Sequence, residues 1–407
     1  INATLNDFKI KGSDVYTTIY KLNFKDFRGL QVQNLKTQFT YTKDNILLEK
    51  LEVKTKKSLV KGDVALRYKR EDFSDFNNKV IFDVQLDKAA IATNDLNCFY
   101  NEFGKHNMFY LDTHFLGTLN NFTTHYLKLT DKNQSEIIGK ANFQNLFGKG
   151  DQKFYMKGNF DRITSDYNSL KSIMPRVLGK NLPSVLAKLG RVDLNGDVEL
   201  TQKYINANVY LLSKLGIVDG DLAIQNIDNI DNASYQGNIK LDNFDLGALL
   251  SQEDLGKTSL DLDVDGKGFT QKLLNTSIVG TINKFYYNGY SYQNVTVDGS
   301  MKMPYYKGYF NSNDPNLKMD FDGVIDLSDK ANNYDFKAQI DYADLHILNI
   351  YRKDSIAIFK GNINFKAKGN SIDDLAGKLE INDVSYQNSK DYYFFDDFEI
   401  NSIFDAT

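Results

Sequence analysis

The sequence predicts an all-β fold: a long curled antiparallel sheet, a repeating β-groove, with a few short helices. Three observations predict it. Segment after segment alternates apolar and polar residues. The composition, with 28 Phe, 25 Tyr and 27 Gly but 4 Pro and no Trp, suits strands joined by tight turns. A strand running into an aspartate recurs at intervals of several tens of residues.

TSLDLDVDGKG, residues 258–268, has two readings. Asp261, Asp263, Asp265 and Gly266 match the opening of an EF-hand calcium loop, whose twelfth position needs a bidentate carboxylate. That position is Lys272, and Thr258 follows Gly256 too closely for a flanking helix. Read at period two, Leu260, Leu262 and Val264 share one face and the aspartates the other. The failed ligand position and the alternation favour the strand. NLKMDFDG repeats it with Leu317, Met319 and Phe321 opposite Lys318, Asp320 and Asp322. YDFKAQID sets Tyr334, Phe336, Ala338 and Ile340 against Asp335, Lys337, Gln339 and Asp341, and NINFKAKG sets Ile363, Phe365 and Ala367 against Asn362, Asn364 and Lys366. Such segments are half-buried antiparallel strands.

In the longer repeat, strands reach Asp87, Asp161, Asp242 and Asp341, and glycine-bearing strands follow at Gly117, Gly196, Gly266 and Gly369. A constant order with unequal spacing describes one supersecondary module with variable loops. Each aspartate is read as a turn or helix-capping residue just after its strand. DGKGFTQ lacks the third glycine of a dinucleotide fingerprint, so Gly266 and Gly268 are read as turn glycines. Helix is confined to about 165–190, where Leu170, Ile173, Val177 and Leu178 form a stripe divided by Pro175 and Pro183, and to brief turns at DLGALLSQED and ADLHILNIYR.

At 407 residues the chain exceeds one compact sandwich, and no Pro/Ser-rich or Gly-rich linker breaks it. It is expected to be one continuous repeating segment of a longer protein, with possible modules at 1–150, 151–235, 236–330 and 331–407. It begins at Ile1 and shows neither a signal peptide nor a transmembrane run of ~20 apolar residues. The charges, 49 basic and 53 acidic, are interspersed, which argues against a nucleic-acid partner. Cys98 has no partner for an intrachain disulfide and is read as a buried structural thiol.

About thirty strands of ~8 residues each are expected, and their apolar face has to be covered. Each large apolar side chain removed from water contributes roughly 1.5–3 kcal/mol. The cover is a second sheet, the same sheet curled on itself, or lipid. A membrane barrel turns its apolar face outward and favours Trp at the interface, which is absent here. Stacked sandwiches bury the face against themselves. Alternation alone does not separate these from a groove.

YNGYSYQNVTVDGSMKM (287–303), DPNLKMDFDGVIDLS (314–328), DFKAQIDYADL (335–345) and LPSVLAKLGRVDLNGDVELT (182–201) resemble the AsmA-like, TamB-type translocation and assembly module proteins, in the form found in Bacteroidota. The resemblance is densest over about 182–390. It implies a periplasmic, envelope-spanning protein of a Gram-negative bacterium, with an inner-membrane anchor outside this chain. It also implies a curled sheet with an apolar groove, and a further domain, outside this chain, that engages a BamA-type (TamA-like) outer-membrane barrel. The implied work is phospholipid movement between the membranes, support of outer-membrane protein assembly, or both.

No G-x-S-x-G elbow, HExxH or P-loop occurs, and His114 and His125 lack the cysteine or carboxylate that would complete a zinc set. The expectation is therefore a non-enzymatic segment with no cofactor and no metal. Its groove lining, in contact with phospholipid acyl chains, is expected at Leu260, Leu262, Val264, Leu317, Met319, Phe321, Phe336, Ile340, Ile363 and Phe365. The alternatives are a structural or chaperone-like β scaffold that pairs client strands through an open edge, and an array of sandwich domains that carries no lipid.

Overall fold

A computed structural model describes residues 1–99, 103–146, 154–173, 184–227, 229, 232–268, 273–302, 304–327, 331–370 and 374–402. The protein is all-β: among the described residues 24 strands, from β1 (Asn2–Lys11) to β24 (Phe398–Ser402), form one long antiparallel sheet that is not closed, with a few short helices. The chain divides into two compact units, Ile1–Gln202 with Ala207–Lys214, and Lys203–Asn206 with Leu215–Thr407. In each unit the sheet is a meander, consecutive strands pairing antiparallel.

The strands are fewer and longer than the alternating segments suggest. All but the last two run 9 to 13 residues. The reason lies at the repeating aspartates. Asp87, Asp161, Asp242 and Asp341 do not end their strands but lie inside β6 (Ile81–Ala92), β10 (Tyr155–Asp166), β14 (Ser234–Asp245) and β20 (Asn333–Asp344). Each sits at a break in register, between Leu86 and Ala89, Phe160 and Ile163, Leu241 and Phe244, and Ile340 and Ala343. A β-bulge inserts an extra residue and restores the period-two pattern on the same face. Leu241 and Phe244, three apart, therefore both turn to the apolar side. At the β14 bulge Asn243 takes a φ of +49° and donates its N–H to Ser259 Oγ at 2.9 Å.

Capping of the backbone just past the strand falls to the aspartates that end three of these strands, two of which lead into a helix. Asp245 Oδ1 accepts from Ala248 N at 2.8 Å and starts the helix Leu246–Leu250. Asp344 Oδ1 accepts from His346 and Ile347 N at 3.1 and 3.0 Å, but the chain then passes through a run of turns over ADLHILNIYR without forming a helix. Asp166 Oδ1 accepts from Asn168 and Ser169 N, both at 3.0 Å, ahead of the helix Tyr167–Ile173. A 3-10 turn at Ser184–Leu189 is the other described piece of the expected helical insertion. Pro175, Val177, Leu178 and Pro183 lie outside the described residues, as does Lys272.

Glycine placement also differs from expectation. Gly266 lies within β15 (Leu255–Lys267), opposite Tyr235 and Thr276, while Gly268 follows the strand with a φ of +78°. Gly280 shows why strand interiors take glycine. Its φ is +147°, and a Cβ there would stand 2.2 Å from the Asp261 carbonyl oxygen of the neighbouring strand. Glycine kinks of this kind let a twisted strand bend without steric conflict. Gly280→Val is expected to destabilise the chain by about 1–3 kcal/mol through backbone strain alone, and more with the clash, read as a lower urea midpoint; an unchanged midpoint contradicts the kink.

Candidate functional site

The strand reading of TSLDLDVDGKG holds, and cross-strand pairing shows what its aspartates do. Asn238 Nδ2 donates to Asp261 and Asp263 at 2.9 and 3.0 Å, and Lys240 Nζ lies 3.0 Å from Asp261. The Asn238 bond first, then the Lys240 ammonium, holds the Asp261 carboxyl below its ordinary value. These side chains are well exposed, so solvent screens the pair. Farther along, Lys366 Nζ meets Asp335 at 3.1 Å and Asn311 donates to Asp320 at 2.8 Å. The acidic face is a ladder of cross-strand polar pairs.

On the opposite face the register assembles rows. One row passes from Ile239 on β14 to Leu262 on β15, Gly280 on β16 (Asn275–Tyr287), Val297 on β17 (Tyr290–Lys302) and Phe310 on β18 (Tyr305–Asp314). It continues through Phe321 on β19 (Leu317–Asp326), Ala338 on β20, Ile363 on β21 (Ala357–Lys368), Ile381 on β22 (Ala376–Asn388) and Phe398 on β24. No polar side chain interrupts it across ten strands. A second row holds Leu260, Met319 and Ile340, and a third holds Val264, Phe336 and Phe365. Leu317, opposite Ala343, completes the set. All ten residues singled out from the sequence therefore share one face of the second unit. Ring contacts tie the rows together, Phe321 to Phe336 at 5.2 Å and Phe336 to Phe365 at 5.5 Å between centroids.

This face is not sealed. Only Leu262, at 8 % exposure, is buried among the ten, and the others keep part of their surface. The packed cluster here is Leu262 with Val295 and Val297, flanked by Ile239, Ile278, Ile282 and Phe310. Sequence reasoning missed these flanking positions and the glycines between them. Gly237, Gly299, Gly308 and Gly323 occupy the third row, and Gly323, at φ +152°, would bring a Cβ within 2.4 Å of the Phe336 Cα. The signal lay in IVGTI and VTVDG, where glycine takes an apolar position of the alternation.

At one end of strands β17 and β18 lies a buried polar knot. Asp314, fully buried, accepts from the Tyr290 hydroxyl at 2.5 Å and the Asn316 N–H at 2.8 Å on Oδ1, and from the Gln293 N–H at 2.8 Å on Oδ2. Burial first, then the bond to Asp314, pushes the Tyr290 phenol up to about 12.

His114 and His125, on β7 (Met108–Gly117) and β8 (Phe122–Asp131), have ring centroids 5.3 Å apart, and His114 Nε2 lies 3.0 Å from Asp83 Oδ1. Among the described residues no three His, Cys, Asp or Glu side chains gather as metal ligands. Cys98 is half-buried rather than buried; it lies in the turn that follows the helix Thr93–Leu96, with its Sγ 3.7 Å from the Asn94 carbonyl. A hollow of about 680 Å³ belongs to the first unit and is charged, with Arg162 3.8 Å from Glu136. None of its lining residues belongs to the apolar rows. Compared with known proteins, the chain matches no family model, no curated protein and no solved structure.

Two outcomes test the knot. Asp314→Ala leaves three donors without an acceptor, so a loss on the order of 3 kcal/mol in urea unfolding is expected. A tyrosine whose folded pKa is raised contributes stability that is complete below its ordinary value of 10 and disappears as pH rises toward about 12. In Tyr290→Phe that part of the alkaline loss should vanish, measured by circular dichroism melts stepped through this range.

Proposed function

We propose that the chain is a non-enzymatic segment of a periplasm-spanning β-groove protein that carries phospholipid acyl chains between the inner and outer membranes. It fits the AsmA-like, TamB-type pattern that its sequence resembles, with anchor and BamA-type barrel contacts made by regions outside this chain. Support of outer-membrane protein assembly is the companion role. The observation that carries the reading is the apolar row from Ile239 to Phe398, in register over ten strands and still partly exposed.

The chemistry of such a face is collective. Each lipid CH₂ that leaves water for it is stabilised by about 0.8 kcal/mol. No single contact dominates, which suits passage along rows better than capture in a pocket. A stack of sandwiches would bury these side chains against a second sheet, whereas the strands here belong to one sheet and nine of the ten residues remain partly exposed. The scaffold reading has β1 in its favour, since all ten of its residues are exposed and, among the described strands, its one partner is β2 (Asp14–Lys25).

Lipid extraction and mass spectrometry of the purified chain should find several phospholipids per molecule. The amount should fall in Leu262→Asp and Phe321→Asp, which place a charge in the central row, and not in Asp261→Ala on the polar face. A stable chain free of lipid would sink the reading and move the weight to strand pairing at β1.

A further inference from the structure

The segment 345–356, which joins β20 to β21, holds apolar side chains in the open. Ile350 is 64 % exposed and Ile347 45 %, and Tyr351 and Ile356 are exposed as well, whereas Leu348, at 1 %, turns inward. A loop ordinarily needs water for its unpaired backbone. Here each of the seven N–H groups from Leu345 to Tyr351 has an acceptor within the fold. Leu345 N bonds to Ala357 O at 2.7 Å, and the N–H groups of His346 and Ile347 share Asp344 Oδ1 at 3.1 and 3.0 Å. Leu348 N reaches Asp344 O at 2.9 Å, Asn349 N reaches His346 O at 3.1 Å, and both Ile350 N and Tyr351 N reach Leu345 O at 2.9 Å. An apolar surround costs these donors no hydrogen bond.

Neighbouring turns extend the surface. Asn349 Nδ2 donates to the Asn288 carbonyl at 3.1 Å, and the Asn288 N–H donates to the Asp254 carbonyl at 2.8 Å. The turn between β16 and β17 therefore joins the segment to the loop after the helix Leu246–Leu250, whose Leu250 is 54 % exposed. Charge is uneven across the surface. Arg352 and Lys353 are exposed, while the segment's own carboxylate, Asp354, accepts from the Tyr386 hydroxyl at 2.9 Å. Glu253 and Asp254 are exposed acids of the adjoining loop, so the cationic margin lies on the 345–356 side.

We propose that this surface seats on a phospholipid bilayer with anionic headgroups, placing Ile347, Ile350 and Tyr351 at the boundary between headgroups and acyl chains and Arg352 and Lys353 against the phosphates. Aliphatic side chains flanked by a tyrosine and by long cationic side chains have the composition of an interfacial anchor. The paired backbone suits a surround that offers no hydrogen bonds. None of these residues belongs to the apolar rows, so the contact does not rest on their carrying lipid.

The full chain has no Trp, so Ile350→Trp supplies a single emitter at the surface. On vesicles of phosphatidylcholine with phosphatidylglycerol its emission should shift to the blue, and bromines on the acyl chains should quench it severalfold. The wild-type chain should float with the same vesicles. Ile347→Ser with Ile350→Ser should weaken vesicle binding about tenfold or more. Arg352→Gln with Lys353→Gln should weaken it on the order of tenfold on the mixed vesicles, and far less on phosphatidylcholine alone. No flotation, flotation unchanged by the two serines, or emission at 350 that vesicles leave unshifted overturns the bilayer contact. A blue shift that needs only raised protein concentration overturns it too, and assigns the surface to a second copy of the chain.

Discussion

A strand's side chains alternate with a period of two, and every feature of the apolar face depends on that period surviving from strand to strand. A slip of one residue at β19 would turn Phe321 to the acidic side and put Asp320 and Asp322 in the rows. Register is therefore strongly specified wherever the face is apolar, and the polar ladder on the other side reinforces it. Asn238 bridging Asp261 and Asp263 fits only one alignment of β14 with β15.

Long strands strain this arrangement, because a right-handed twist accumulates along twelve or thirteen residues. Two devices relieve it. Bulges at Asp87, Asp161, Asp242 and Asp341 insert a residue, sharpen the local twist and return the next apolar side chain to its face. Glycines such as Gly280 and Gly323 let the backbone bend where a Cβ would strike the neighbouring strand. The same glycines thin the rows, which leaves room over a surface otherwise set with Phe, Ile, Leu and Val.

A face built this way differs from an ordinary core. Its side chains lean on one another across strands, as Phe321, Phe336 and Phe365 do, yet they retain exposure that a sandwich would remove. Asp314, fully buried, ties the turn between β16 and β17 to the turn between β18 and β19 through Tyr290 and Gln293. Stability and the proposed carriage of lipid thus draw on different residues. Polar knots and cross-strand pairs order the sheet, and the exposed apolar surface remains available for a ligand.

Much of this was legible in the residues alone. The alternation in LDLDV, LKMDF, DFKAQI and INFKA placed all ten chosen positions on one face, because side-chain direction within a strand is a local property. Asp87, Asp161, Asp242 and Asp341 were found as a repeat but misread as turns, since a bulge is defined by the partner strand that it fails to match. Gly266 was misread for the same reason. No local pattern could show that Asn349 would meet Asn288, 61 positions away, or that the Tyr290 hydroxyl would meet Asp314. The sequence by itself determined the class of the fold and the content of each face; tertiary structure decided which rows those faces form and which distant turns meet, because register and loop packing are relations between distant segments.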